Sequence, residues 1–259
     1  MTERVKAFYD ELASNYHLIF EDWEASIKRQ AAVLGPILER ESSATNIRIL
    51  DCACGIGTQT LGLAGRGFRV TACDLSSAAV KRTCEEASQR QLDVQAFVAD
   101  LLDLTPIPGG DFDVAICMDN ALPHLDGQDQ VSQAATQIRR KLRPGGLFVA
   151  SIRDYDALVR EKPVVQGPAL YTDDRRRRIV HQVWDWLDDR CYTFHLYITR
   201  ETSDGWESQH YVSTYRALLR SEMTTVLEQA GFVGARWLFP AESGFYQPIV
   251  LAKTPVSVP

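Results

Sequence analysis

Nowhere in this chain of 259 residues is there an apolar run long enough to span a bilayer. The opening MTERVKAFYDELASNY is charged from the start and lacks the apolar core of a signal peptide. Both absences point to a cytoplasmic protein with no membrane partner. Positive charge is not in excess either. The 28 Lys and Arg against 34 Asp and Glu leave a formal net charge of -6, so no global basic field draws the chain to nucleic acid. The one charge run, RRRR at 175–178, reads as a solvated turn and strand entry. Six cysteines are present but no C-x-x-C pair. Cys52 and Cys54 stand too close together and lack a second pair of ligands, which argues against a zinc site, and no metal is expected. These cysteines read as reduced and buried. Also missing are G-x-S-x-G and a paired cysteine–histidine signal, so a covalent enzyme intermediate is not the expected chemistry. There is no internal repeat and no low-complexity segment.

What remains, 45% hydrophobic and 24% charged, suits one domain with a large core. Residues 1–44 read as a helical cap. Val5, Phe8, Tyr9, Leu12 and Tyr16 recur at helical spacing, and EDWEASIKRQAAVL is a second helix that Gly35-Pro36 disturbs or ends. Over 45–153 strand and helix patterns alternate. IRILD, FRVTACD, DVQAFVAD, FDVAICMD and LFVASIRD are strands. TQTLGLAGR, SSAAVKRTCEEASQRQ (with Ser76 as its N-cap) and DQVSQAATQIRRKLRPGG (closed by its Pro-Gly-Gly) are helices. Near-continuous apolar strands between helices predict a doubly wound, mostly parallel α/β sheet. Over 170–217 the pattern changes. RRIVHQVWDW, CYTFHLYITR and ESQHYVSTYRA predict an antiparallel β insertion after strand 5, and residues 218–259 a closing helix and strand pair. Pro248 fits only the start or edge of the last strand.

The function is written most densely in ILDCACGIGTQTLGLAGRGFRVTACDLS. Gly55 and Gly57 follow a strand ending in Asp51, and Asp74 ends the next strand. Glycine allows a sharp turn and close backbone approach to a ligand, the following helix points its N-terminus there, and an acid such as Asp74 can accept ribose hydroxyls. A dinucleotide site would want a third glycine where Thr60 stands. It would also usually begin at the first strand, not after a helical cap. A nicotinamide-dependent oxidoreductase is therefore the less favoured reading, and a non-enzymatic cofactor-binding protein a third.

The strings ILDCACGIGTQT, VTACDLS, FVADLLDL, FDVAICMDNALPHL and LRPGGLFVASIRD resemble, in order and spacing, the motifs of class I S-adenosylmethionine-dependent methyltransferases. DCACGIGT, DNALPHL and SIRDYD are most similar to the glycine and glycine/sarcosine N-methyltransferase group. The resemblance implies a Rossmann-like seven-stranded sheet and the cofactor S-adenosyl-L-methionine, with S-adenosyl-L-homocysteine as product. It implies that Ala53, Gly55 and Gly57 hold the methionine end, that Asp74 takes the ribose, and that Leu75, Asp100 and Leu101 meet the adenine. Met118 and Asn120 would lie beside the sulfonium, and Tyr16 and Trp23 would close over the site. Asp51, Thr60 and His124 complete the candidate cofactor set. For Asp51 a turn cap, for Asp100 a helix cap or loop acid, for Tyr16 and Trp23 core packing, and for His124 a hydrogen-bonded structural role are the competing readings.

A sulfonium methyl is already activated, so such an enzyme needs mainly to hold an acceptor lone pair in line, about 3 Å away, in a dry site. That positioning is worth roughly 7–11 kcal/mol. DNALPH lacks the N-P-P-Y string of base-modifying amino-methyltransferases, which with the acidic charge argues for a small-molecule acceptor. Arg153 ends the fifth strand, where a guanidinium can grip a carboxylate with two parallel bonds. Tyr155 and Asn120 would add polar contacts. An ion pair with Asp154 or Asp156 is the structural alternative for Arg153. The favoured acceptor is the amine of a small amino acid, and another metabolite or natural-product intermediate stays open because the N-terminal segment departs from the glycine enzymes. The insertion reads as a lid or a dimer surface, compatible with a homo-oligomer.

Overall fold

The computed structural model describes residues 3–173 and 175–256. The chain opens with α1 (Glu3–Leu12), a 3-10 turn at Tyr16–Ile19, and α2 (Trp23–Glu41). β1 (Arg48–Asp51), α3 (Thr58–Gly65), β2 (Arg69–Asp74), α4 (Ser77–Gln89), β3 (Val94–Val98), β4 (Phe112–Cys117), α5 (Gly127–Lys141) and β5 (Leu142–Ser151) then alternate. After the short α6 (Tyr155–Glu161) come β6 (Val165–Asp173), β7 (Arg176–Trp186), β8 (Cys191–Thr202) and β9 (Gly205–Arg216). α7 (Arg220–Gln229), β10 (Val233–Leu238), α8 (Pro240–Ser243) and β11 (Ile249–Lys253) close the chain.

Seven strands form one sheet in the order β10-β11-β5-β4-β1-β2-β3. β1 to β5 are parallel to one another, and β11 is antiparallel to both β5 and β10. β4 is buried along its whole length, as a central parallel strand covered on both faces should be. The strand order reverses between β1 and β4, so the crevice at the carboxyl ends of these two strands is the natural ligand position. The second sheet, β6-β7-β8-β9, is antiparallel. Trp184, Phe194, Leu196, Tyr211 and Tyr215 on its inner face join Phe8 and Leu12 of α1 in one apolar cluster. That sheet therefore stands over the crevice with the N-terminal cap beneath its edge.

The structure departs from the sequence expectation at several places. Cys84 is exposed on α4 and Cys191 is half-buried at the start of β8, so the cysteines are not all core residues. α2 runs through Gly35-Pro36 to Glu41. Proline inside a helix costs about 3 kcal/mol, but Leu34, Ile37 and Leu38 are buried against Ile49 and Val114 of the sheet. At about 1.5–3 kcal/mol for each side chain, their burial outweighs the break. Pro144-Gly145-Gly146 does not close α5. β5 already begins at Leu142, and the pairing jumps from Phe112↔Leu142 to Val114↔Leu147, so the three residues form a bulge. β6 was not expected. It carries Gly167-Pro168 and is exposed at most positions, which hides the period-2 signal of an edge strand. The arginine run is not wholly solvated either. Arg178 is 3% exposed and binds Asp173 and the carbonyls of Leu18 and Phe20.

Candidate active site

The turn after β1 is built as its glycines require. Gly55 has φ +53° and Gly57 +94°, a backbone region that side chains other than glycine's rarely adopt. A Cβ on Gly55 would also stand 3.4 Å from the Tyr16 ring. Asp51 is buried at the base of the turn and accepts from Thr60 Oγ1 at 2.7 Å and from the Ala53 N–H at 3.3 Å. Burial pushes its carboxyl up to about 7 against those bonds. Thr60, standing where a dinucleotide turn would have glycine, thus fixes the strand end. Asp74 accepts from the Gly55 N–H at 2.8 Å and the Ser76 N–H at 2.9 Å, tying the ends of β1 and β2 together.

One cavity opens at this turn. Its walls include Tyr16, Ala53, Gly55, Asp74, Leu75 and Met118, with His124 at its far side. The candidate cofactor residues from four separate segments are thereby brought together. Others stand behind the wall. Trp23 is buried and donates its indole N–H to Thr58 Oγ1 at 2.9 Å, with Arg82 and Arg90 over its ring. It supports the first turn of α3 from outside the cavity. Leu101 is packed in the core. Asp100 accepts from the Leu102 N–H at 2.9 Å within its own loop. His124 lies between α1 and β9, bonded to the Tyr9 hydroxyl at 2.8 Å and packed against Tyr215, ring centroids 4.0 Å apart and tilted by 35°. Burial depresses its pKa to about 3, so the imidazole is neutral near pH 7 and is not poised as a base.

A second cleft, of about 1000 Å³, adjoins the first and shares Tyr9, Tyr16 and Asp119 with it. Asn120 sits there with φ +71°, directly after Asp119 at +55°. Asn and Asp tolerate this left-handed region better than other non-glycine residues. Asn120 Nδ2 donates to the Tyr155 hydroxyl at 2.9 Å, and its Oδ1 accepts the Arg153 N–H at 3.1 Å. Tyr155 is wholly buried below, 3.1 Å from the Tyr192 hydroxyl. The Arg153 guanidinium donates to the Tyr192 hydroxyl at 2.7 Å and lies over the rings of Trp184, Tyr215 and Phe194. Burial opposes its charge, yet Tyr192, Tyr155 and Tyr215 hold its pKa above the ordinary arginine value. No carboxylate pairs with it among the described residues. Asp154 and Asp156, the local acids, are held by Arg220 instead.

Two parts of the site carry no clear mark in the sequence, the aromatic cage of β7–β9 and Asp119. The available signal for Asp119 was its place, an acid directly after a strand end in DNALPH. Gln59 Nε2 donates to it at 2.7 Å and the Tyr246 hydroxyl at 2.5 Å.

Residues 49–146 match a family model described as a methyltransferase domain. The glycine N-methyltransferase of Rattus norvegicus is 35% identical over 136 residues, which are 48% of this chain and 46% of that protein. The glycine/sarcosine N-methyltransferase of Parasynechococcus marenigrum is 26% identical over 138 residues, 53% of this chain and 48% of that protein. The chain thus spans about half the length of these curated relatives. A solved S-adenosylmethionine-dependent methyltransferase from Clostridium acetobutylicum superposes with a TM-score of 0.73 at 16% identity, covering 88% of this chain and 92% of that one. CalS10, an amino pentose methyltransferase from Micromonospora echinaspora, gives 0.71 at 19% identity, covering 88% and 91%. Each superposition covers 88% of the chain, and the fold is the class I methyltransferase fold.

Proposed function

We propose that this chain, which carries a class I S-adenosylmethionine-dependent methyltransferase domain, methylates the amine of a small carboxylated acceptor of the glycine or sarcosine kind. The residues at the turn fit the cofactor: two glycines in left-handed backbone leave room beside Tyr16, and the Asp74 carboxylate faces the same cavity. Ala53, Gly55 and Gly57 would hold its methionine end, Asp74 its ribose, and Leu75 its adenine. Once bound, S-adenosyl-L-methionine supplies a methyl already activated on a sulfonium.

The protein's share is then to choose the acceptor, orient it and keep water out. The single observation that carries the acceptor class is Arg153. A half-buried guanidinium caged by Trp184, Phe194 and Tyr215, with hydroxyls but no carboxylate to answer it, is a costly arrangement without a ligand. Its planar fork suits a substrate carboxylate bound by two parallel hydrogen bonds. Asn120 holds the Arg153 backbone, and Tyr155 holds Asn120, so the fork rests on a fixed chain of bonds. The second sheet would serve as a lid, its inner aromatics drying the cleft.

Transfer of label from methyl-labelled S-adenosyl-L-methionine to glycine, sarcosine, their amides and simple amines tests this reading. Carboxylated amines should accept label and their amides poorly. Transfer only to neutral amines would replace the acceptor class. Binding of NADH in place of S-adenosyl-L-homocysteine by calorimetry would overturn the family of chemistry, and cofactor binding with no transfer to any acceptor would leave a binding protein.

A further inference from the structure

Asp119 is the counterpart of Arg153 with the opposite sign. It occupies the wall between the two cavities, and its carboxylate is held only by neutral donors, the Gln59 amide at 2.7 Å and the Tyr246 hydroxyl at 2.5 Å. Gln59 is in turn bonded to Gln30 of α2 at 2.6 Å, so the arrangement is braced from the N-terminal cap. No lysine, arginine or histidine pairs with Asp119 among the described residues. The titratable groups that interact with it are Tyr16, Tyr246 and the buried Asp51, and Arg153 lines the same cleft. Two opposite charges thus line one cleft on either side of Asn120, and neither is neutralised by the protein. A half-buried carboxylate left without a cation costs more than a solvated one, unless a ligand supplies the charge. The backbone at Asp119 is held left-handed by the bond from its own N–H to Ser151 Oγ at 2.8 Å, which aims the side chain into the site.

We propose that Asp119 is the ammonium-binding group of the acceptor cleft, so that the site takes its substrate as a zwitterion: ammonium on Asp119, carboxylate on Arg153. The zwitterion rests on the acceptor reading above; the ammonium site stands on Asp119 alone. The pairing also gives the amine proton a destination. One N–H bond of the ammonium breaks, its proton goes to an oxygen of the Asp119 carboxylate, and the electron pair stays on nitrogen, leaving a neutral amine and a neutral carboxylic acid. Burial, which raises the proton affinity of Asp119, favours that transfer.

The test uses the whole chain saturated with S-adenosyl-L-homocysteine. Ethylamine, acetate and glycine are titrated separately at pH 7 and followed by ligand-observed NMR. Ethylamine should bind the wild type and lose at least tenfold in affinity in Asp119→Asn, while acetate binding is unchanged. In Arg153→Ala the two ligands should exchange roles. Glycine should lose affinity in both variants. Asparagine suits the left-handed backbone, and Asp119→Gly gives the same comparison if the amide pairs badly with Gln59 and Tyr246. Ethylamine affinity unchanged in both Asp119 variants overturns the proposal. A tenfold loss of S-adenosyl-L-homocysteine affinity in Asp119→Asn, with affinity for 5′-methylthioadenosine kept, also overturns it by assigning Asp119 to the ammonium of the cofactor. Acetate affinity unchanged in Arg153→Ala, with ethylamine affinity lost in the Asp119 variants, would strike the carboxylate reading and leave the ammonium site standing.

Discussion

The two halves of the site keep their charges differently. In the cofactor half the acids are held close to the turn itself: Asp51 by Thr60 and the Ala53 amide, Asp74 by the amides of Gly55 and Ser76. In the acceptor half Arg153 and Asp119 line a common cleft and are held by side chains from distant elements, Tyr192 on Arg153, Gln59 and Tyr246 on Asp119. The first half is shaped by its backbone; on the reading proposed above, the second takes the charges of its ligand. An acid fixed by the backbone of its own turn is best read as architecture that also binds, and two opposite charges in one cleft with no ion-pair partner as recognition.

The largest effect should come from disturbing the satisfied half. Asp74→Ala removes the carboxylate that ties Gly55 to Ser76 and that would meet the ribose. With two charge-assisted hydrogen bonds at about 1.5–3 kcal/mol each, affinity for S-adenosyl-L-homocysteine should fall about a hundredfold or more. Calorimetry measures it directly, and an unchanged dissociation constant would remove Asp74 from the cofactor site.

This contrast also explains what could be read from the sequence. The cofactor half is local: Asp51, Gly55, Gly57 and Asp74 lie in one strand–turn–helix–strand run, where period and turn chemistry declare themselves. The sheet around it was legible for the same reason. The acceptor half comes together from the ends of β4 and β5, the inner face of β7–β9 and the segment before β11, joined only by tertiary folding. Asn120 and Arg153 were visible as residues after strand ends. Trp184, Phe194 and Tyr215 carried nothing to distinguish a cage from ordinary meander packing. Arg178 looked like one of four solvated arginines, because nothing in RRRR says which one turns inward toward Leu18 and Phe20.

Arg178 separates cap closure from charge recognition. Arg178→Ala leaves the carbonyls of Leu18 and Phe20 without their donor and frees the Tyr16 segment from the second sheet. Unsatisfied polar groups at about 1–3 kcal/mol each predict a loss of roughly 2–3 kcal/mol in denaturant unfolding. The Michaelis constants of cofactor and acceptor should both rise. Full stability in the variant would show the cap is not pinned there.

A smaller effect concerns His124, at the seam of the two halves. Its folded pKa of about 3 lies well below the ordinary value of 6.5, so the unfolded chain binds the extra proton between these limits. Stability should be independent of this group above about pH 6.5 and fall as pH drops toward 3. At pH 5 the loss is about 2 kcal/mol, at 1.36 kcal/mol for each pH unit. His124→Gln should flatten that part of the stability profile, and an unchanged slope would show that His124 is not the group titrating.

The central claim is that the unanswered charge of Arg153 recognises a substrate carboxylate. The most direct measurement is kcat/KM for glycine and for glycinamide in the wild type, Arg153→Lys and Arg153→Ala, with S-adenosyl-L-homocysteine affinity as the control. The account predicts a fall of roughly ten- to a hundredfold with glycine for lysine, which keeps the charge but loses the fork, and a further fall for alanine. Glycinamide should be poor throughout and lose little more, and cofactor affinity should hold. Equal losses on glycine and glycinamide, or a loss of cofactor affinity as severe as the loss of turnover, would contradict it and make Arg153 a structural cation.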